Sequence, residues 1–108
     1  MKNQRKQVRI ETKALVDYTG TNAMLDHKIR DISIGGLRIE TEFLEEIGTE
    51  VDLYISLPEI NESIEIKGIV AWVKTTPQKN MGIKFLNLSD KNKAVLEQYL
   101  NFLKERAD

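Results

Sequence analysis

The sequence contains no cysteine, only two prolines and a single histidine among its 108 residues. Without cysteine the chain has no disulfide, no thiolate zinc site and no thiol nucleophile. No segment approaches the roughly 20 apolar residues of a transmembrane helix. The N-terminal stretch MKNQRKQVRI also lacks the apolar core of a signal peptide. We therefore expect a cytoplasmic protein that is not inserted in a membrane.

The charge is small overall and unevenly distributed. Hydrophobic residues make up 41% of the chain and charged residues 31%, and the length suits one hydrophobic core rather than two. The net charge is -1, which argues against a general polyanion binder. Residues 1–9 hold Lys2, Arg5, Lys6 and Arg9 and no acid, so the remainder carries -5. The capacity to bind anions is concentrated at the N-terminus.

Alternating apolar residues predict about six short β-strands joined by turns. No helical pattern interrupts them, which favours an antiparallel barrel or a curled sheet. Gly68 lies inside one of these strands, as expected at a tight bend of a small barrel. The predicted strands lie within residues 8–18, 24–34, 36–44, 51–57, 64–72 and 81–88.

From Ser89 onwards, the spacing of the apolar residues changes from that of a strand to that of a helix. Ser89 is a suitable N-cap, Asp90 suits the first turn, and the residues that follow form one apolar stripe. The members of this stripe are Val95, Leu96, Tyr99, Leu100, Phe102 and Leu103. We predict a mainly β protein consisting of a flexible basic arm (1–9), a six-stranded antiparallel β-barrel (10–88) and a C-terminal amphipathic helix (89–108), together one domain.

No group of residues suggests catalysis or metal binding. His27, the only histidine, lies between Asp26 and Lys28 in a predicted strand, where a surface position fits better than a metal ligand or a catalytic base. Glu45 and Glu46 fit a solvated pair near a turn. We predict a binding protein without catalytic residues, metal or cofactor.

Two polar motifs stand out against this pattern. The first is RKQVR, with Arg5 and Arg9 four positions apart, and the second is DISIGG, with Asp31, Ser33 and Gly36 in the arrangement D-x-S-x-x-G. Alone, each is weak, because paired arginines are common in basic tails and D-x-S-x-x-G suits an ordinary β-turn. Their order and separation within a predicted barrel make the combination informative.

Strand alternation also predicts the direction of the side chains in the second motif. Asp31, Ser33 and Gly35 share one face of the predicted strand, and Ile32 and Ile34 share the other. If the isoleucines enter the core, the polar pair is expected to point outward.

Together, RKQVR, DISIGG, GIVAWV, MGIKF and the helix that follows them resemble the PilZ domain, a bacterial receptor module for the second messenger cyclic di-GMP. The resemblance covers nearly the whole chain. It implies a six-stranded barrel with the ligand on its outside, covered by an N-terminal arginine loop.

The resemblance assigns Arg5 and Arg9 to the phosphates and guanines of cyclic di-GMP, and Asp31 and Ser33 to a guanine edge. The chemistry agrees, because a guanidinium can bridge phosphate oxygens or guanine O6 and N7 with two hydrogen bonds. An ionised Asp31 suits the N–H donors of guanine. The resemblance also implies that two glycines, Gly35 and Gly36, lie at the ligand.

Two expectations about single residues accompany this assignment. Glycine at position 36 is expected to permit a positive φ and to let a base lie against the backbone. Family members imply a lesser ligand contact for Trp72 and Lys74, although Trp72 is equally compatible with the core.

The leading hypothesis is a cyclic di-GMP receptor whose arm becomes ordered on ligand binding and which then signals to an unidentified protein partner. One alternative is a PilZ-like adaptor that works without ligand. Another is a small barrel that binds single-stranded nucleic acid through its basic arm, which is less favoured because no aromatic stacking platform is visible.

Overall fold

The computed structural model describes residues 10–107. The strands are β1 Ile10–Glu11, β2 Leu15–Thr19, β3 Ala23–Lys28, β4 Asp31–Ile32, β5 Gly36–Glu40, β6 Glu50–Leu57, β7 Glu62–Lys74 and β8 Asn80–Leu86. A single 3-10 turn, Pro58–Ile60, connects β6 to β7, and the helix α1 covers Asp90–Ala107.

All strand pairs are antiparallel, in the order β1-β4-β5-β8-β7-β6-β2-β3. The prediction of a mainly β, antiparallel fold with a C-terminal helix is thereby confirmed. Within residues 10–107 the sheet has eight strands instead of six and is not closed, because β1 and β3 remain at its two edges. A side-chain contact links β3 to β5, since Nε2 of the half-buried His27 donates to the Glu40 carbonyl at 2.7 Å.

Two long predicted strands each break into two, which explains the higher strand count. The predicted strand 8–18 is interrupted after β1, where the Thr12 hydroxyl accepts a hydrogen bond from the Ala14 amide at 3.0 Å. Such a local bond competes with the sheet ladder. The predicted strand 24–34 is interrupted at Ile29 and Arg30. Consequently β2 and β3 pair with each other, whereas β1 and β4 form a separate pair.

The core is built mainly from side chains of the strands, and α1 adds Leu96, Tyr99 and Leu103 to it. Side chains of alternating strand positions are fully buried, together with two side chains of the helix. Ser89 caps the helix as predicted, since its Oγ accepts a hydrogen bond from the Asn92 amide at 3.1 Å. The largest fully buried side chains include Tyr18, Ile32, Leu37, Ile39, Ile55, Leu57, Met81, Ile83, Leu96 and Tyr99.

Tyr99 connects α1 to two other parts of the chain. Its hydroxyl donates to Oε1 of Glu59 at 2.8 Å and is hydrogen-bonded to the hydroxyl of Thr12. Burial raises the pKa of Tyr99 above its ordinary value, so the hydroxyl remains a donor throughout the physiological range. The helix is therefore anchored beside the residues that follow β1.

Glu45 is a structural residue and not the solvated acid that the sequence suggests. Its side chain is buried, with 5% exposure, and accepts hydrogen bonds from the backbone amides of Thr21 at 3.2 Å and Asn22 at 3.0 Å. These residues form the turn between β2 and β3. Burial by itself would raise the pKa of Glu45, but the hydrogen bonds outweigh it and the pKa lies below its ordinary value.

Replacing Glu45 with Gln should therefore destabilise the protein by about 1–3 kcal/mol at neutral pH, because charge-assisted bonds to the turn are lost. A lowered pKa in the folded state stabilises the protein above the unfolded pKa and loses that effect as the pH falls through the folded value. The difference between the wild type and Glu45→Gln should thus shrink below about pH 4.5, the ordinary pKa.

Urea unfolding over a pH series measures both effects. Glu46→Gln is the matched control, since Glu46 is the exposed neighbour in the same loop and should change little. Equal stability of Glu45→Gln and wild type at neutral pH would contradict the assigned role.

Candidate functional site

The second motif forms the turn between β4 and β5. The Ser33 amide donates to the Gly36 carbonyl at 2.8 Å, and the Ser33 hydroxyl accepts a hydrogen bond from the Gly35 amide at 3.2 Å. Ser33 is only 1% exposed. The expected outward direction of Ser33 is therefore wrong, because β4 ends at Ile32 and its alternation does not extend to Ser33. A ligand contact of Ser33 remains a prediction.

Gly36 is required by a close approach between strands. A Cβ atom at this position would lie 2.2 Å from the Ile83 carbonyl oxygen and 3.2 Å from the Lys84 Cα, both on β8. Its φ is not in the left-handed region, so the expectation of a positive φ is wrong. Its neighbour Gly35 accepts a hydrogen bond from the Phe85 amide at 2.9 Å. The two glycines thus hold the turn against β8.

Asp31 forms an ion pair with an arginine that sequence reasoning missed. Asp31 lies directly opposite Arg38 in the β4–β5 register. The Nε and Nη2 groups of Arg38 donate to Oδ2 of Asp31 at 2.9 Å and 2.7 Å. Asp31 is buried, whereas the Arg38 side chain is 33% exposed. This ion pair could have been predicted from the sequence, because Asp31 and Arg38 lie at equal distances on either side of a turn at positions 34 and 35.

A β-bulge in β7 determines where Trp72 lies. The register between β7 and β8 shifts between Val70, which pairs with Ile83, and Trp72, which pairs with Gly82. The extra residue moves Trp72 and Lys74 to the outer face, whereas Val73 packs against the core. Regular alternation would have placed Trp72 beside Val70 in the core, so that alternative is wrong.

The indole of Trp72 lies across Gly82. A Cβ atom on Gly82 would be 2.2 Å from both Cε2 and Nε1 of Trp72, so only glycine leaves room for the ring. The ammonium of Lys74 lies 5.5 Å from the centre of the indole ring, within the range of a cation–π contact. The half-buried ring is thereby held on the outer face by residues on both strands.

Four residues of the site form one line across the neighbouring strands β4, β5, β8 and β7. The register places Asp31 of β4 opposite Arg38 of β5, Arg38 opposite Gly82 of β8, and Gly82 opposite Trp72 of β7. We call these four residues the polar row. It crosses three strand spacings, which is about 14 Å. The neighbouring position on β8 carries the exposed Lys84, paired with Gly36, so this part of the sheet has several cations.

Arg5 and Arg9 lie outside the described residues. The first described strand, β1, nevertheless pairs with β4, with Ile10 opposite Ile32 and Glu11 opposite Asp31. The chain therefore enters the described structure beside the second motif. The described residues thus bring together Asp31, the turn glycines and Trp72 with its neighbour Lys74.

Other features of the described residues do not coincide with this site. A surface groove of about 850 Å³ lies between β3, the loop after β5 and the β7–β8 turn, and none of its lining residues belongs to the polar row. In residues 10–107 no cluster of three His, Asp or Glu side chains is placed to hold a metal ion. Within residues 10–107, no helix is long and apolar enough to cross a membrane.

The described strands form an antiparallel β-sheet module that carries the candidate site, the partly buried polar row, on an outer face. The chain belongs to the PilZ domain family, whose sequence model matches residues 3–102. PilZ domains are regulatory binding modules. A comparison with curated proteins found no match.

Two solved structures have a similar fold. The PilZ domain of YcgR from Escherichia coli, solved with cyclic di-GMP, is 13% identical with a TM-score of 0.74, and the similarity covers 97% of this chain and 95% of that one. The inhibitor of motility MotI of Bacillus subtilis is 20% identical with a TM-score of 0.75, over 91% of this chain. This chain spans 50% of the length of MotI.

The fit of Trp72 over Gly82 can be tested by fluorescence, because Trp72 is the only tryptophan. Gly82→Ala should push the indole off the sheet, which exposes it to water and shifts its emission to longer wavelength. Crowding at the new methyl should also destabilise the protein by about 1–3 kcal/mol.

Gly68→Ala is the matched control on the core side of the same strand pair. A Cβ there would meet Ile83 Cγ2 at 2.6 Å, so it should lower stability without changing the emission of the folded protein. Unchanged emission in Gly82→Ala would show that the indole does not lie across Gly82.

Proposed function

We propose that this chain is a cytoplasmic cyclic di-GMP receptor without catalytic activity. The ligand binds on the outer face at the polar row, the N-terminal arm with Arg5 and Arg9 becomes ordered across it, and the covered face then acts on a protein partner. The observation that carries the proposal is the β1–β4 pairing, which starts the arm beside the second motif.

The arm has the reach that this arrangement needs. Arg9 is bonded directly to Ile10, which places its Cα about 3.8 Å from that of Ile10. Arg5 lies five residues before Ile10 and can extend about 17 Å from it. The polar row is about 14 Å long. Both arginines can therefore contact a ligand on this face without any rearrangement of the sheet.

The chemistry of the face suits the ligand. Cyclic di-GMP offers two phosphate charges and two guanines, for which guanidinium groups provide paired hydrogen bonds and a stacking surface. The carboxylate of Asp31 accepts from guanine N–H donors, and the indole of Trp72 offers a flat apolar surface to a base. The half-buried Gly35 leaves the backbone of the turn accessible to a bulky ring, whereas Gly36 packs against β8.

The proposed output uses the ordered arm. The residue Thr12, just after β1, is hydrogen-bonded to Tyr99 of α1, so an arm fixed by ligand adjoins the helix. A basic segment of this kind cannot form a core by itself and gains order from the ligand. The combined surface of ligand, arm and sheet exists only in the bound state, which gives a partner a means of reading the signal.

Titration calorimetry with cyclic di-GMP tests the proposal. We expect saturable binding, and Arg9→Ala and Asp31→Ala should each weaken it by about 1–3 kcal/mol, because each removes charge-assisted hydrogen bonds. The matched controls are Arg106→Ala, an exposed arginine near the end of α1, and Asp52→Ala, an exposed aspartate paired with Lys67. Neither control should change the affinity.

The same protein distinguishes the alternatives. Absence of heat and of chemical-shift changes at high micromolar cyclic di-GMP would rule out the receptor function and favour an adaptor that works without ligand. Binding of single-stranded nucleic acid with a steep salt dependence, and no preference for the cyclic dinucleotide, would instead favour a nucleic-acid-binding barrel.

A further inference from the structure

We infer that Arg38 is a positioning residue that orients the Asp31 carboxylate and thereby sets the preference for guanine. This inference rests on the proposed function, because it concerns how the same site recognises its ligand. It starts from the contact of two Arg38 donors with one oxygen of Asp31, at 2.9 Å and 2.7 Å.

The contact restricts the carboxylate more than a single hydrogen bond would. The guanidinium is planar and its Nε and Nη2 donors have a fixed spacing, so both can reach Oδ2 only over a narrow range of Asp31 side-chain angles. A lysine ammonium is a single charged point on a flexible stem and imposes no such plane. Arg38 therefore fixes the direction of the carboxylate as well as balancing its charge.

Arg38 is itself held by the sheet. Its position opposite Asp31 on one side and Gly82 on the other is set by backbone pairing of β5 with β4 and β8. Its carbonyl also accepts a hydrogen bond from the Arg30 amide at 2.8 Å. Binding groups on strands are held more precisely than groups on loops. The Asp31 carboxylate thus obtains its orientation from a strand residue although it adjoins a turn.

Orientation matters because of the shape of guanine. Its Watson–Crick edge presents two adjacent donors, the ring N1–H and the exocyclic amino group, and a carboxylate satisfies both only when the two groups are nearly coplanar. Hypoxanthine has the ring donor but lacks the amino group. A well-oriented carboxylate therefore favours guanine over hypoxanthine, and a loosely held one loses part of that preference.

The test compares cyclic di-GMP with cyclic di-IMP, its hypoxanthine counterpart, by calorimetry on the full chain. Arg38→Met keeps the length of the side chain and removes the guanidinium. We expect its affinity for cyclic di-GMP to fall about 10- to 100-fold, in line with a charge-assisted hydrogen bond. The affinity for cyclic di-IMP should fall less, so that the ratio of the two affinities decreases.

Two further variants separate positioning from stability. Arg38→Lys retains the charge and should fold normally, yet it should also lower the guanine-to-hypoxanthine ratio, since it lacks the planar pair of donors. If Arg38→Met does not fold, the affinity ratio measured for Arg38→Lys tests the inference by itself. Arg30→Met is the matched control, because Arg30 is an exposed arginine paired with Glu40 at 3.4 Å. It should leave the affinity ratio unchanged.

A double-mutant cycle identifies the route of the effect. If Arg38 acts through Asp31, Arg38→Met should weaken binding little further in an Asp31→Ala background. Full additivity would mean that Arg38 contacts the ligand independently and would overturn the inference. An unchanged ratio in Arg38→Lys would also overturn it while leaving the receptor function intact. Absence of cyclic di-GMP binding by the wild type would remove the proposed function and this inference together.

Discussion

The close approach of Gly36 to β8 is the constraint on which the rest of the site depends. The Ile83 carbonyl occupies the space where a side chain at position 36 would begin. This approach starts the β5–β8 ladder at Gly36 and Lys84, and the ladder then places Arg38 opposite Gly82. A slip by one residue would turn Arg38 into the core and Leu37 out to solvent, which the burial of Leu37 makes prohibitive. The polar row is thus a consequence of backbone packing.

The bulge in β7 is the second requirement, because it sets the other end of the polar row. It lets a strand whose first half buries Ile64 and Ile66 in regular alternation present Trp72 outward in its second half. The indole can then lie over Gly82 only because that residue has no side chain. Two glycines on neighbouring strands therefore have different roles. Gly36 lets the backbones of β5 and β8 approach closely, and Gly82 leaves room for the indole of Trp72.

The sequence predicts most of the fold, because burial of one face imposes a period of two on every long strand and a helical period on α1. It does not predict the breaks at Thr12 and Ile29, the bulge before Trp72 or the burial of Glu45. Each of these depends on a partner distant in sequence or on a local hydrogen bond that competes with the ladder. At the site, a turn at DISIGG was predictable, but the burial of Ser33 was not, since it follows from where β4 ends.

The distribution of charge explains how a chain with a net charge of -1 can present a site for a dianion. On the outer face, Lys74 of β7 and Lys84 of β8 lie near the Arg38–Asp31 ion pair. Asp17 of β2 and Glu65 in the first half of β7 lie near the Asp52–Lys67 ion pair. Exposed charges are screened beyond about 8–10 Å at physiological salt. A ligand at the polar row is therefore governed by the cations near it and by the arm that begins at β1, and the acidic half of the sheet contributes little. The net charge of the chain bears on its solubility, whereas the register of the strands determines which charged side chains lie next to a bound anion.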